Sequence, residues 1–590
     1  MDAANANGDM PNSHDAEKLS EPAMIERTSS RSEAGVPTNT DNDLGPVNTT
    51  WKTWVVIGLI FCSVGVTFWP VPTTTLMVDV LAAQFEDTVS SEWYLSSFTT
   101  AAAVSILLAG TISDLFGRRY VLLMADVFNV VGNILCATSH GSKQFIAGMT
   151  ILGASCGMWQ LGLICVPELL PNNWRHIGVV LADTILFVCV VVGPVVGRYA
   201  VADPTGRQWE WNYWAGLICM VPTVILTFLM YKPPKHPHGA SWKEALLGFD
   251  YGGAILVTSG LVLTLVGIVY STTLASTSGL VVGPLVAGLV LLAFFGVWEN
   301  ISKATYKLCP PHIFTHHRGR AFTAPFIFGT VITMFYYGMN VLWPTMIAVL
   351  YTTAETPISQ AVVLGLPTNI ALVLGAVLFA TIGHHIKHWK VMLIISFVGS
   401  TLFGGLMALV TVDNKKTMIA ITFLEQFFFG WAQYACFAWV QLGVDQLDLG
   451  AAGGLGGVGR FGGASLAIAI YSSILKNTQR KAAKTLVVEA GLNSGLTKSS
   501  AELLLQALSA GSATALQDIP GITASAIAQG TLALKESYVH GIRITALSSL
   551  AFGCLGTIMC FFSEDIEPKM NEKTNVFLEN DIHADMNKFH

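Results

Sequence analysis

The stretch Gly110-Thr-Ile-Ser-Asp-Leu-Phe-Gly-Arg-Arg119 is a short polar segment between two long apolar runs, residues 93–109 and 120–138. Each run is about long enough to cross a bilayer as a helix. The aspartate and the two arginines of the stretch therefore lie where the chain turns around at a membrane face. Because positive charge is retained on the cytoplasmic side of a membrane, the pattern predicts that this turn is cytoplasmic.

The composition of the chain points to the same class of protein. Of its 590 residues, 52% are hydrophobic and 12% are charged, whereas a soluble domain has about 25% charged residues. A globular core could not bury so many apolar side chains, so the composition predicts a membrane protein. The polar residues 1–50 predict a disordered cytoplasmic tail. The basic residues are scattered over loops, which excludes a nucleic-acid-binding surface.

Length and hydrophobicity predict an all-α membrane protein with about fourteen transmembrane helices. If the N-terminus is cytoplasmic, most lysines and arginines, Arg460 among them, lie in inner loops, as the charge rule requires. A weak internal repeat favours two six-helix bundles with two helices inserted between them. The predicted segments after the tail are a first bundle at 51–231, a cytoplasmic linker at 232–251, the inserted helices at 252–298, a cytoplasmic loop at 299–321, a second bundle at 322–562 that contains an extracellular loop at 476–540, and a cytoplasmic tail at 563–590.

The pattern Gly-x-x-x-Asp-x-x-Gly-Arg-Arg between two membrane helices resembles the loop that joins helices two and three in the major facilitator superfamily. Glycine permits a tight turn and close helix approach, and the aspartate can cap a neighbouring helix N-terminus. The arginines can pair with carboxylates of the other bundle and hold one conformer closed. The resemblance predicts a conformational latch with an acidic partner at the end of span four, made of Gly110, Asp114, Gly117, Arg118, Arg119 and Glu168.

The end of span five, Gly193-Pro-Val-Val-Gly-Arg198, resembles the Gly-Pro-x-x-Gly-Gly signature of antiporters in the superfamily. Its antiporter-like positions are Gly193, Pro194 and Gly197. Glycine lets a neighbouring helix pack closely, and proline removes a backbone hydrogen bond so that the helix can bend. Arg198 replaces the second glycine of the pair, and Met149 replaces the arginine of the fourth span. Both departures weaken the transfer of the family's standard proton-coupling scheme to this chain.

Three acids lie within predicted spans: Asp126, Asp183 and Glu425. An ionised side chain at the middle of a bilayer costs on the order of 2.5–3.5 kcal/mol, so such residues face an aqueous cavity or a partner. All three are candidates for proton coupling, and Glu425, which lies deepest, is the first of them. For Asp126 and Asp183 a purely structural role is the alternative.

In the superfamily, the first and fourth helices of each bundle line the central cavity, which implies spans one, four, nine and twelve here. Aromatic side chains with scattered amides suit a bulky amphipathic ligand. The alternative is that these side chains form interfacial belts and ordinary helix contacts. The residues expected to line the cavity are Trp69, Trp159, Gln160, Tyr336, Tyr337, Asn340, Gln433 and Tyr434.

Residues 113–121, 193–198 and 295–299 together look like the fungal trichothecene-efflux-pump branch, close to the fourteen-span drug:proton antiporters. This resemblance implies proton-coupled export of a secondary metabolite, mycotoxin or drug-like amphipathic compound across the plasma membrane by alternating access. The expected partners are that compound, protons and the bilayer, with both chain termini in the cytoplasm. A siderophore–iron importer of the related fourteen-span group is one alternative, and a transporter-like sensor is another.

No pattern in the sequence indicates an enzyme, a cofactor or a metal site. The chain has no recognisable nucleophile–base pair, and its cysteines form no Cys-x-x-Cys pair. The run Gly454-Leu-Gly-Gly-Val-Gly459 matches a dinucleotide fingerprint, but it opens an apolar span instead of following a strand. Helix packing is therefore the expected role of these glycines.

Overall fold

The structure of the protein is a computed structural model, and nearly all of its described residues are helical. No strand occurs in the described ranges, so the all-α prediction is confirmed for them. The predicted disordered tail lies outside these ranges apart from Thr50. The described residues are 50–87, 90–201, 208–234, 242–274, 277–353, 356–510, 513–571 and 577–579.

Fourteen helices of 18 residues or more run through the described ranges. They are α1 (Trp51–Phe68), α2 (Trp93–Phe116), α3 (Arg118–Ala137), α4 (Ser142–Trp159), α5 (Thr184–Val201), α6 (Glu210–Met230), α7 (Tyr251–Thr273), α8 (Gly279–Ile301), α9 (Thr323–Met346), α10 (Ile358–Ile386), α11 (Trp389–Leu406), α12 (Lys415–Leu442), α13 (Leu449–Asn493) and α14 (Ala524–Phe562).

By length and hydropathy, thirteen helices of the described residues could cross a membrane, and α12 is the long helix that does not qualify. Glu425, Gln426, Gln433 and Gln441 lie along α12, and all four are buried. These polar side chains lower the hydropathy of the helix, but they point into the protein and not toward lipid. The predicted twelfth span is thus present as a helix with a polar, inward-facing surface.

Helix contacts gather α1–α6 into one bundle and α9–α14 into another. The bundles meet where α2 packs against α13, and where the short helix Arg175–Ala182 packs against α10 and α12. Helices α7 and α8 pair with each other, and α7 also contacts both α2 and α13. The inserted pair therefore covers the seam between the bundles on the α2–α13 side.

Glycines set the geometry at this seam. Gly117 alone separates α2 from α3, and its φ of 90° lies in the region that favours glycine, so the chain reverses without a longer loop. On α13, a Cβ at Gly454 would come within 3.0 Å of the backbone oxygen of Ile106. A Cβ at Gly457 would collide with the Ile106 side chain. Small residues on one face of α13 therefore allow α2 to approach its backbone closely.

The described residues of 476–540, the segment predicted as an extracellular loop, are mostly helical. α13 continues to Asn493, α14 already begins at Ala524, and two short helices, Lys498–Ala510 and Ala513–Gln517, lie between them. The 45 residues of α13 span about 67 Å, well beyond the roughly 30 Å of a bilayer core. The apolar pattern ends near Leu475, but Ala, Lys, Gln and Arg are good helix formers, so the helix itself does not end there.

Residues 476–540 form a helical end domain with an apolar core of its own. Ala483 and Val487 on α13 belong to the same buried cluster as Ala526 and Ala533 on α14, and Leu504 from the short helices fills the space between them. Gly530 lets α14 approach that leucine, since a Cβ there would contact the Leu504 side chain at 3.0 Å. The domain is therefore a packed unit and not a flexible connection.

We expect Leu504→Ala to loosen the end domain, because removing a buried leucine side chain costs about 2–5 kcal/mol. Leu504 is fully buried, whereas the neighbouring Leu503 is 44% exposed and provides a matched control. Limited proteolysis of the purified protein should cut within residues 494–523 faster in Leu504→Ala than in Leu503→Ala. Equal rates for the two variants would contradict the packed end domain.

Candidate functional site

The end of the bundles that carries residues 110–119 is called the charged end, and the opposite end of the transmembrane helices the cavity end. At the charged end, the buried Arg118 forms an ion pair with Glu168, and its guanidinium also lies 3.9 Å from Asp114. All three residues belong to the first bundle. The pair ties the start of α3 to the short helix Gly162–Glu168, which continues α4.

Asp114 makes the contact that crosses to the second bundle. The backbone N–H of Ala451 donates to Asp114 Oδ2 at 3.0 Å. Because α13 begins at Leu449, this N–H belongs to its first turn, where a negative charge is favoured. Beside this hydrogen bond, the backbones of α2 and α13 approach so closely that a Cβ at Gly110 would collide with the carbonyl oxygen of Gly450. The predicted cap of a neighbouring helix by Asp114 is thus the observed geometry.

Among the described residues, neither arginine pairs with a carboxylate of the other bundle, contrary to that expectation. Arg118 binds Glu168 of its own bundle, and Arg119 donates to the backbone oxygen of Phe228 at 2.7 Å. The Arg119 guanidinium also lies 5.4 Å from the centre of the Phe228 ring. Successive residues of a helix point about 100° apart, so only the first arginine of α3 faces the interior.

Further contacts close the charged end between the bundles. Gln441 Nε2 donates to the backbone oxygen of Leu163 at 2.6 Å. The buried His176 ring packs edge-on against Phe379 and Trp389, with ring centres 5.7 and 4.8 Å apart. Sequence reasoning did not single out this histidine, and its aromatic neighbours come from segments far away in the chain. Ring packing of this kind leaves little space for a solvent path at the charged end.

The described part of the C-terminal tail also reaches both bundles. The indole of Trp439 donates to the backbone oxygen of Glu564 at 2.9 Å. Farther along, the backbone N–H of Asn173 donates to the backbone oxygen of Asn571 at 2.8 Å. Trp439 belongs to the second bundle and Asn173 to the first, so residues 563–571 join the two bundles across the charged end.

A cavity of about 350 Å³ lies between the bundles toward the cavity end. Of the residues expected to line it, Tyr336, Tyr337 and Asn340 do so. Pro194 and Arg198 from the antiporter-like segment also line it. Other lining side chains are mostly apolar or aromatic and include Phe68, Val190, Trp343, Ile347, Leu366 and Ile468.

Three residues expected in the cavity do not line it. The indole of Trp69 donates to Asn212 at 2.6 Å, and the indole of Trp159 donates to Asp126 Oδ1 at 2.9 Å. Gln433 Oε1 accepts from the hydroxyl of Thr333 at 3.2 Å. Each polar group has found a partner inside its own bundle, as buried polar groups generally do, and this directs the side chain away from the cavity.

The other two expected residues, Gln160 and Tyr434, belong to a polar network that spans both bundles. The hydroxyl of Tyr434 donates to Asp183 Oδ2 at 2.8 Å. Arg460 lies 3.9 Å from that carboxylate and donates to Gln160 Oε1 at 2.9 Å. Gln160 and Asp183 come from the first bundle, whereas Tyr434 and Arg460 come from the second. We call these four residues the bridging network.

The sequence reasoning assigned Arg460 to an inner loop, and this is wrong. The residue lies three turns into α13, and its side chain is largely buried. Ile468 on α13 and Val190 on α5 both line the cavity, about two turns beyond Arg460 and Asp183 respectively. The bridging network therefore lies deeper than the cavity. A basic residue inside an apolar span requires an acidic partner, and that signal was available in the sequence.

Among the described residues, the hydrogen-bond partners of the remaining two acids lie in their own bundles. Glu425 accepts from Ser400 at 3.1 Å and from Gln426 at 2.8 Å, both in the second bundle. Asp126 accepts from Trp159 in the first bundle. Of the three predicted proton-coupling candidates, Asp183 is the one with partners across the interface. In the described part of the chain, no group of three or more His, Cys, Asp or Glu side chains is arranged to hold a metal ion.

The antiporter-like segment packs α5 against the short helix Pro70–Thr74. A Cβ at Gly193 would meet the ring of Pro72 at 2.8 Å, and one at Gly197 would lie 2.6 Å from the backbone oxygen of Thr73. Larger residues at these two positions would push the helices apart. The two glycines thus keep the intervening cavity-lining residues of α5 close to the short helix Pro70–Thr74.

Comparisons with known proteins agree with this arrangement. Residues 56–587 match the model of the family described as fungal trichothecene efflux pump (TRI12). The MFS-type transporter prx5 of Penicillium rubens is 36% identical over 551 residues, which cover 92% of this chain and 97% of that protein. The trichothecene efflux pump TRI12 of Fusarium sporotrichioides is 23% identical over 506 residues, which cover 82% of this chain and 83% of that protein.

Two solved structures share the fold. The proton:xylose symporter XylE superposes with a TM-score of 0.53 at 12% identity, covering 89% of this chain and 99% of that one. The human organic anion transporter MFSD10 superposes with a TM-score of 0.50 at 13% identity, covering 86% of this chain and 99% of that one. At such identities the likeness establishes the fold alone. It confirms the predicted major facilitator architecture.

We expect Gly110→Val to open the charged end, because its side chain would collide with the Gly450 backbone and force α2 away from α13. Gly462→Val on α13 is the control, since a Cβ at Gly462 meets no atom within 4 Å. Spin labels on the exposed Tyr120 and on Leu447 report the separation by double electron–electron resonance. Longer distances in Gly110→Val than in the control are expected. An unchanged distribution of spin-label distances would show that the contact between Gly110 and Gly450 does not hold the charged end closed.

Proposed function

The chain belongs to the fungal trichothecene efflux pump family, a branch of the major facilitator superfamily, and from this we propose that it exports an amphipathic secondary metabolite, mycotoxin or drug-like compound across the plasma membrane in exchange for protons. The observation that carries the proposal is the cavity between the bundles, which is closed at the charged end. Relatives named as efflux pumps support export over siderophore import.

The cavity has the size and lining of a site for small organic molecules. Its volume of about 350 Å³ is within the range of roughly 300–1,000 Å³ typical of such sites. Tyr336, Tyr337 and Trp343 offer flat apolar surfaces, and Asn340 and Asn369 add a few polar groups. A sugar would require many more hydrogen-bonding groups, so the lining favours an amphipathic compound.

The distribution of lysine and arginine supports a cytoplasmic location for the charged end and for both chain termini. In that orientation the cavity lies in the outer half of the membrane. The conformation is then the one from which an exported compound leaves. The complementary conformation, open at the charged end, would load the compound from the cytoplasm.

Alternating access requires a contact between the bundles that can break. The bond from Ala451 to Asp114 is such a contact, because it joins the end of α2 to the first turn of α13. The neighbouring ion pair of Arg118 and Glu168 holds the start of α3 in place, and Arg118 lies beside Asp114. We propose that these residues act as the latch, which opens when the bundles rock about the cavity.

Proton coupling requires an acid whose charge affects how the bundles meet. Asp183 fits this requirement, because its partners Tyr434 and Arg460 belong to the other bundle. A proton on Asp183 would remove the charge that attracts Arg460 and so weaken the bridging network. Glu425 is the alternative proton site, since it is fully buried among polar partners of its own bundle.

We expect deletion of the gene in its host to raise intracellular retention of the host's own secondary metabolites and the sensitivity of the host to them. Mass spectrometry of cell extract and medium measures the retention, and re-expression of the wild-type chain is the control. A deletion strain that secretes normally but fails to grow on chelated iron would favour siderophore import instead.

We expect Asp183→Asn to abolish efflux driven by a pH gradient, because the variant cannot exchange a proton at the bridging network. Substrate exchange without a gradient should continue, since the cavity is unchanged. Proteoliposomes with an imposed pH gradient measure both activities. Asp126→Asn is the matched control, because its partner Trp159 lies in the same bundle. If Asp183→Asn keeps its pH dependence and Glu425→Gln loses it, the coupling proton binds Glu425.

A further inference from the structure

The lining of the cavity contains a single charged side chain among its described residues, that of Arg198. No acidic residue lines the cavity with it, and within the described part of the chain no acid lies in ion-pair distance of its guanidinium. The side chain is partly buried. The cavity is thus apolar with one cationic point.

The position of Arg198 is set by the packing of α5. Gly197 directly before it lies against the backbone of Thr73, and Pro194 one turn earlier lines the same cavity. Arg198 occupies the place of the second glycine in the antiporter signature. A positive charge in the last turn of a helix is favourable by itself, which is the structural alternative for this residue. That alternative does not require the side chain to line a cavity.

The amide groups of the cavity are already engaged. Asn340 donates to the backbone oxygen of Tyr336 at 2.9 Å, Asn369 donates to that of Val190 at 3.1 Å, and Gln426 donates to Glu425 at 2.8 Å. Arg198 differs from these amides, because no described residue accepts a hydrogen bond from its guanidinium. Its guanidinium is always charged and presents N–H groups in a fork that matches two oxygens of an acid.

From this geometry we propose that the exported compound is an amphipathic organic anion whose acidic group pairs with Arg198. The anion would satisfy the one charge of the cavity, and charge-assisted paired hydrogen bonds are the strong kind. Its apolar part would lie against Tyr336, Tyr337 and Trp343. A cationic compound of the same shape would meet like charge and be rejected. The inference deepens the proposed export function and rests on it.

Three fluorescent probes of similar shape test the charge preference directly: pyrenebutyrate, an anion, pyrenebutanol, which is neutral, and pyrenebutylamine, a cation. Binding to the purified full-length protein is followed by the change in pyrene fluorescence. The wild-type protein should bind pyrenebutyrate on the order of tenfold more tightly than the other two probes. This is the typical contribution of one hydrogen-bonded charge pair to affinity.

Three variants of Arg198 separate the effect of its charge from a structural effect. Arg198→Gln and Arg198→Gly, the second of which restores the signature glycine, should lose the preference for pyrenebutyrate while still binding pyrenebutanol. Arg198→Lys keeps the charge and should keep the preference. Thermal unfolding of each variant shows that the fold is intact.

Two results would overturn the inference. One is the absence of saturable pyrenebutyrate binding to the wild-type protein. The other is an equal change in affinity for all three probes in both Arg198→Gln and Arg198→Lys. That result would show that Arg198 has a structural role only. Selective binding without transport in proteoliposomes would instead count against the proposed export function and leave the assignment of the anion site standing.

Discussion

A charge buried in an apolar surrounding must have a partner, and in this protein two such charges find their partner in the opposite bundle. Asp114 binds the first turn of α13, and Asp183 binds Tyr434 beside Arg460. Separation of the bundles would break both of these contacts, and the loss of a hydrogen-bond partner by a buried polar group costs free energy. The relative position of the bundles is therefore controlled at two points, one at the charged end and one below the cavity.

The sequence predicted well those features that depend on neighbours along the chain. The turn at Gly117 is such a feature, whereas the cap by Asp114, whose partner Ala451 is 337 residues away, was predicted from the resemblance of the ten-residue pattern to a family loop. The fold class followed from composition. Features that depend on distant partners were predicted less well. Trp159 was expected in the cavity because of its helix, but its indole is held by Asp126 and faces away.

Two differences between prediction and structure have a common physical origin, because hydropathy indicates where a chain leaves the lipid and not where a helix ends. The polar residues after Leu475 and before His540 continue α13 and α14 as helices, so the expected loop is a packed domain. Arg460, which the charge rule counted among the inner-loop residues, likewise lies inside α13 with an acid opposite. Its partner could be found only once the bundles were placed together.

The continuous helix α13 connects three distant parts of the protein. The helix has its first turn at Asp114, carries Arg460 in its middle, and ends 45 residues later in the packed end domain. A continuous helix moves as one stiff body, so the proposed rocking of the bundles would also move the end domain. An antibody fragment that binds the end domain would therefore slow the proposed transport cycle without contacting the cavity.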